Sequence, residues 1–350
     1  MKKLLKKHLI TKIIITAFLS LFLACESGAN ILTIPADFVK VNGGTVTGAV
    51  DNSSVFIEGR TVTIRNLWVC KHEVTQKEFK KYMKIKCVGQ PEGNQFYSGD
   101  GDNYPVFWES WYSAVIYCNL RSKAEGLTPV YYIEIDGKNE TDIDKWITIV
   151  PNDSNLNGKK RLVKEDGKYY WQGGQAGSGA WCSQLDYEGS TDLDGGIRFD
   201  KNANGYRLPT EVEWEYIARE GNYGIPTTQY TYSGSDDYTE VAVCGDESSG
   251  LTNGAEIKTK KPNALGIYDM SGNAMEWVWD WYVSYTEISP STDEDGPVKC
   301  YSNNGGSTGR VKKGGSHNNL CNQSKISYRG YMSPGFPNSG AGFRVVRNAD

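Results

Sequence analysis

Cysteine and histidine are the side chains that most often do chemistry. Beyond residue 25 this 350-residue chain has seven of the first and two of the second. The cysteines are Cys70, Cys87, Cys118, Cys182, Cys244, Cys300 and Cys321. No two form a C-x-x-C pair, so a structural zinc site is not expected. Their number is odd, which leaves at least one unpaired unless a bond forms between chains. Cys118 falls on an apolar helical stripe, where a thiol is an inert core residue rather than a nucleophile. No G-x-S-x-G accompanies His72 or His317, so a Ser-His-Asp hydrolase is not expected, and His317 reads as a polar loop residue at the surface. Asn273 and Glu276 carry oxygens at a spacing a hard cation could use. The same oxygens could instead accept hydrogen bonds from backbone amides.

The elements that would position these residues can be placed by their start signals. Thr75 and Glu78 form a capping box ahead of Phe79, Tyr82 and Met83. Ser110 caps a helix whose stripe is Trp111, Ala114, Val115 and Cys118, with Gly126 as its stop. Thr210 and Glu213 form a second capping box, and Trp214, Ile217 and Ala218 make its buried stripe. Trp277, Trp279 and Trp281 alternate, as on one face of a strand sunk in a core. Gly314-Gly315 and the glycine of Gly342-Phe343-Arg344 mark close backbone approach. Residues 133–204 are rich in Gly, Asp, Asn and Lys and read as an insertion of hairpins and surface loops, with a strand-like piece at 146–150. Between Tyr328-Arg329 and Gly342-Phe343-Arg344-Val345-Val346 the pattern stops. Small, aromatic and polar residues follow one another there with no period of 2 or 3.6.

The N-terminus is a separate case. A basic stretch, residues 1–12, precedes an uncharged apolar run that ends at Ala24-Cys25. The run is too short for a comfortable membrane span and typical of a signal-peptide core. Residues 1–25 are expected to be a lipoprotein signal whose lipobox makes Cys25 the lipidated mature N-terminus. Residues 26–34 would be a tether and 35–350 a single loop-rich domain. Five lysines and no acids leave with the signal, so 38 − 5 = 33 basic residues face 42 acidic ones, a net −9. Such a chain repels phosphate backbones, and no nucleic-acid partner is expected. Export places the cysteines where disulfides persist.

Several ordered blocks together resemble the formylglycine-generating enzyme (sulfatase-modifying factor) family. They are HEVTQKEF at 72–79, YPVFWESWYSAVIYCN at 104–119, EGLTPVY at 125–131, GYRLPTEVEWEYIAR at 205–219, PNALGIYDMSGNAMEWVWDWY at 262–282, RVKKGGSHNN at 310–319 and SPGFPNSGAGFRVVR at 333–347. The resemblance implies an α+β, C-type-lectin-like fold in one domain, and a structural calcium at Asn273 and Glu276. No other cofactor is required by it.

Within that family the oxidases resemble one another in two thiols five residues apart, just before an Arg and an SP or TP segment. Anchored on Arg329 and Ser333-Pro334, those positions fall on Cys321 and Ile326. Isoleucine has no electron pair to offer copper, so a bis-thiolate Cu(I) centre is not expected. Cys321 could equally be a loop or disulfide residue. The sulfoxide synthase branch needs a three-His iron site, which two histidines cannot supply. No catalytic residue is therefore assigned, and the formylglycine-generating oxidase stands as the alternative function.

The C-terminal framework also resembles the variable proteins diversified by retroelements. In these, scattered surface positions on a lectin-like scaffold are altered through adenine mutagenesis. The resemblance implies a ligand-binding face in region 310–347, made of His317, Asn318, Leu320, Cys321, Ile326, Ser327, Gly330, Tyr331, Met332, Ser333, Gly335, Phe336, Asn338, Ser339 and Ala341. Gln323, Lys325 and Met332 cannot arise from AAC or AAT codons, so those positions either are fixed or count against diversification. Tyr331 and Phe336 would give rigid contact area while Ser, Asn and Gly adapt hydrogen bonds. The expected partner is a protein on a host or bacterial surface. The chain itself is expected to be a monomer held at the outer-membrane cell surface by its lipid anchor.

Overall fold

The computed structural model describes residues 34–48, 54–85, 99–149, 152–153, 159–160, 162–172, 196–221, 230–245, 253–283 and 309–349. The export segment 1–25 with Cys25, nearly all of the tether 26–34, and Cys87, Cys182 and Cys300 lie outside the described residues. Among the described residues no helix is long and apolar enough to cross a membrane.

In chain order the elements used below are strands β1 (Phe38–Val41) and β2 (Leu67–Cys70), helices α1 (Gln76–Phe79), α2 (Trp111–Ala124), α3 (Ile143–Ile149) and α4 (Glu211–Ala218), then strands β3 (Met275–Trp281), β4 (Arg310–Lys313), β5 (Arg329–Met332), β6 (Ala341–Gly342) and β7 (Val346–Asn348). Three of the helices begin where their caps require. The hydroxyls of Thr75 and Thr210 accept from the amides of Glu78 and Glu213, whose carboxylates accept in return from the Thr75 and Thr210 amides. The Ser110 hydroxyl accepts from the Ser113 amide at 3.1 Å, and Gly126 ends α2 with φ +73°.

Helix α3 departs from expectation, since residues 146–150 read as strand-like. Its burial repeats every third residue, with Ile143 and Trp146 inside and Asp144 and Lys145 outside. Trp146 is enclosed and donates its indole N–H to the Glu140 carbonyl at 2.9 Å. One large ring needing a core seat overrides the strand preference of its β-branched neighbours.

Two sheets carry the molecule. In the first, β1 and β7 flank β2, all antiparallel, so the C-terminal strand closes against the beginning of the domain. In the second the order is β5-β4-β3-β6, with β6 parallel to β3 and the other pairs antiparallel. The predicted tryptophan strand is β3, buried at nearly every position. Side chains alternate across this sheet. One face carries the row Arg329–Lys313–Glu276 and the other the row Gly330–Lys312–Trp277. The first face meets α4, where Val311, Val278, Trp214 and Ile217 join Leu67, Val69 and Val346 in one apolar core.

Short strands, caps and long irregular connections around these two sheets make a mixed α+β, C-type-lectin-like fold.

Candidate functional site

The segment after β4 is pinned to the framework at many points. Gly314 and Gly315 have φ +87° and +66°. A Cβ on Gly315 would lie 2.5 Å from the Gln323 carbonyl oxygen, so only glycine lets the chain fold back here. The Asn318 side chain donates to the Ser339 hydroxyl at 2.8 Å, tying the start of the segment to its end. Farther along, the Ile326 amide donates to the Thr231 carbonyl, and the Trp108 amide donates to that of Asn338. Arg329 grips Glu211 of α4 with two nitrogens at 2.6 and 2.8 Å.

On this fixed backbone the expected face is only partly displayed. Leu320 is 36 % exposed and Tyr331 45 % exposed. Asn318, Ser327, Gly330, Met332, Ser333, Gly335, Phe336, Asn338 and Ser339 are half-buried. Tyr331 stacks on Tyr282 at 4.3 Å between ring centroids.

At four positions an exposed side chain was expected and a buried one is found. His317 packs its ring edge-on to Phe107, and its Nδ1 bonds the Asn273 carbonyl at 2.9 Å. Burial lowers its pKa, so the ring is a neutral core residue and not a polar surface one. Cys321 is buried in a disulfide with Cys244. Ile326 belongs to the apolar core, and Ala341 is enclosed in β6. Conversely, Tyr282 lies beneath Tyr331 although no local pattern marks it, because the two belong to different blocks.

The disulfide also bears on redox chemistry. It closes a span of 77 residues, a loop size worth roughly 2–4 kcal/mol to the fold. A sulfur bonded to Cys244 is not a thiolate, and the second thiol position is a core isoleucine. The remaining described thiols, Cys70 and Cys118, are buried, and burial pushes that of Cys118 far up.

Asn273 and Glu276 do not fit a calcium ion. The Asn273 side chain accepts from the Ala255 amide at 3.0 Å and donates to Glu73 at 2.9 Å. Both Glu276 oxygens face the Arg344 guanidinium, at 2.6 to 2.9 Å, and one also accepts from the Trp214 indole at 2.7 Å. A guanidinium already fills the place a cation would take. Among the described residues no cluster of three or more His, Cys, Asp or Glu is arranged to hold a metal. A chelator is therefore expected to leave the thermal unfolding midpoint unchanged, as a melt with and without EDTA would show.

Asp269, beside this network, is a strained neighbour. One of its oxygens accepts from the Lys258 amide at 2.7 Å, and the other is buried without a partner among the described residues. Burial pushes its pKa up to about 6 against the opposing pull of the Lys258 amide and Arg344. A carboxyl held above its unfolded value of 3.8 favours the fold only at low pH. The advantage is lost as pH rises from about 4 to about 6, where the unfolded chain ionises first. Asparagine suits the left-handed backbone of this residue, φ +57°. Asp269→Asn should thus add about 1–3 kcal/mol near neutral pH and much less below pH 4, measured by urea unfolding.

Comparison with known proteins agrees with this architecture. The family described as "Sulfatase-modifying factor enzyme 1-like domain" matches residues 28–349. The chain is 30 % identical over 345 residues to "Chaperone protein LppX" of Paenibacillus barcinonensis, covering 93 % of this chain and 94 % of that one. It is 32 % identical over 162 residues to a formylglycine-generating enzyme of Streptomyces coelicolor, covering 42 % of this chain and 48 % of the enzyme. Among solved structures it resembles Treponema denticola variable protein 1, with TM-score 0.61 and 23 % identity over 89 % of this chain and 94 % of that one. It also resembles CarF, with TM-score 0.59 and 25 % identity over 91 % of this chain and 100 % of that one. With the matched span covering nearly all of its sequence, the chain belongs to the sulfatase-modifying factor family, the family of the formylglycine-generating enzymes.

Proposed function

We propose that this chain is an exported lipoprotein, anchored at Cys25, that binds a protein ligand through the face formed by residues 317–341. The carrying observation is where large apolar side chains remain in solvent. Among the described residues three are exposed, and two of them, Leu320 and Tyr331, stand on this pinned segment. Exposed aromatics on a fixed backbone cost little entropy to engage, which suits recognition. Half-buried Ser327, Ser333 and Asn338 supply further polar groups on the same segment. The resemblance to a variable protein supports a face that is rewritten between strains, by a retroelement, while its framework persists.

The last forty residues should accordingly differ among strain isolates at the solvent-facing positions and stay constant at Gly315, Arg329 and Arg344. Identical sequences across isolates that bind different ligands would overturn the diversification reading.

The second reading, a formylglycine-generating oxidase, is favoured by the partial match to such enzymes. The Cys244–Cys321 bond and core Ile326 count against it. Copper-dependent oxidation of a C-x-P-x-R peptide, lost in Cys321→Ser, would establish it instead; no turnover is expected.

A further inference from the structure

Four cations lie along β4 and β5, and the fold supplies acceptors to three. Lys313 sits 3.1 Å from Glu215, and Arg329 pairs with Glu211. Arg310 donates to the Trp279 carbonyl, and its guanidinium lies 4.0, 4.8 and 3.8 Å from the ring centres of Trp111, Trp279 and Trp281. Lys312 is different. It is 4 % exposed, yet among the described residues its ammonium has no hydrogen-bond acceptor and no carboxylate partner. What it touches is the face of Trp277, 5.4 Å from the ring centre. Burial lowers its pKa to about 8, with no neighbouring charge to oppose that.

Its position sets it beneath Gly330 of the segment, on the side of the sheet opposite Tyr331, which pairs with Val311. Lys312 stands in register between Trp277 and Gly330, so the three share one side of the sheet. Gly330 carries no side chain, and the atom nearest to where its Cβ would sit is the Met275 thioether, 3.0 Å away, which carries no charge. The indole nitrogen of Trp171 and Nε2 of His317 are buried atoms without a partner, sealed from solvent. The Lys312 nitrogen is not among the sealed atoms.

We infer that Lys312, on the side of the sheet that carries Gly330, takes a carboxylate carried by the ligand. The inference rests on the binding reading above and names the ligand chemistry. An ammonium buried to this degree has lost most of its hydration and received only the face of Trp277 in return. A carboxylate entering beside Trp277 supplies the missing acceptor, and a charge-assisted bond in a site of low dielectric is stronger than in water. The described arginines of these strands are engaged elsewhere, Arg310 with the Trp279 carbonyl and Arg329 with Glu211, and a single ammonium suits a singly charged group better than a phosphate. The chain is acidic overall, so free anions are repelled at a distance and capture depends on this local charge.

The test uses the full chain with 13C-labelled lysine. Two probes separate the possible sources of the group: N-acetylglutamate α-amide carries a side-chain carboxylate, and N-acetylalanine a chain-terminal one. Saturable movement of the Lys312 Cε resonance with either probe is expected. Binding of the probes, followed in the variants by titration calorimetry, should weaken at least roughly tenfold in Lys312→Met and be kept in Lys312→Arg. A thermal melt verifies that both variants fold. No saturable shift with either probe, or equal affinity in Lys312→Met, would overturn the inference. The two readings can fail separately. Capture of a protein ligand that needs Tyr331 but not Lys312 sinks this inference alone. Probe binding at Lys312 together with capture indifferent to Tyr331 sinks the recognition face and leaves the carboxylate site standing.

Discussion

Arg344→Met is expected to lower the unfolding free energy by about 3–5 kcal/mol, a large part of what a domain of this kind possesses. Arg344 is enclosed and satisfies four acceptors: both Glu276 oxygens and the carbonyls of Cys70 and Tyr268. Removing it leaves Glu276 buried beside Glu73 and Asp269 without its guanidinium partner. Burial, with those two carboxylates near, already raises Glu73 well above its ordinary pKa. The methionine keeps most of the stem, so the loss reports the charge and the hydrogen bonds rather than a cavity. Adding Glu276→Gln to Arg344→Met should recover part of the loss, since it deletes the stranded charge. Guanidinium unfolding of the two single variants and the double variant measures the coupling.

Tyr331→Ala should behave in the opposite sense. Its ring stacks on Tyr282 at the edge of the sheet and is nearly half in solvent, so stability should fall by no more than about 1 kcal/mol. Adhesion of the purified chain to its target surface should fall by at least about thirtyfold, the mark of a central aromatic contact. Ile326→Ala supplies the contrast within the same segment. Its side chain lies in the core beside Trp214 and Val311, and its loss should cost about 2–5 kcal/mol. A stability assay and a binding assay on the two variants separate display from packing.

Much of the fold was legible because its signals are local. The two capping boxes, the Ser110 cap and the alternating tryptophans each reside in a few consecutive residues, and each element formed where they sit. What was not legible depends on partners distant in sequence. Helix α3 exists because Trp146 needs a core seat, which residues 146–150 alone do not reveal. Sequence spacing left Glu276 open to either a cation or hydrogen bonds, because its partner Arg344 is 68 residues away. The recognition segment was readable as unpatterned but not residue by residue. His317, Cys321, Ile326 and Ala341 face inward because of Phe107, Cys244, the α4 core and β3, all far from them along the chain. Lys312 escaped notice for the converse reason: what marks it is a partner the fold does not provide.

The central claim is that a fixed framework displays interchangeable side chains after Gly315. A surface-display library randomised together at Leu320, Ser327, Tyr331, Ser333, Phe336 and Asn338 tests it most directly, with folding scored on every member by protease resistance. Most members should fold as well as the parent and yield binders to unrelated targets. A library in which most members are cleaved as unfolded chains would show instead that these side chains hold the domain together, and the account would fail.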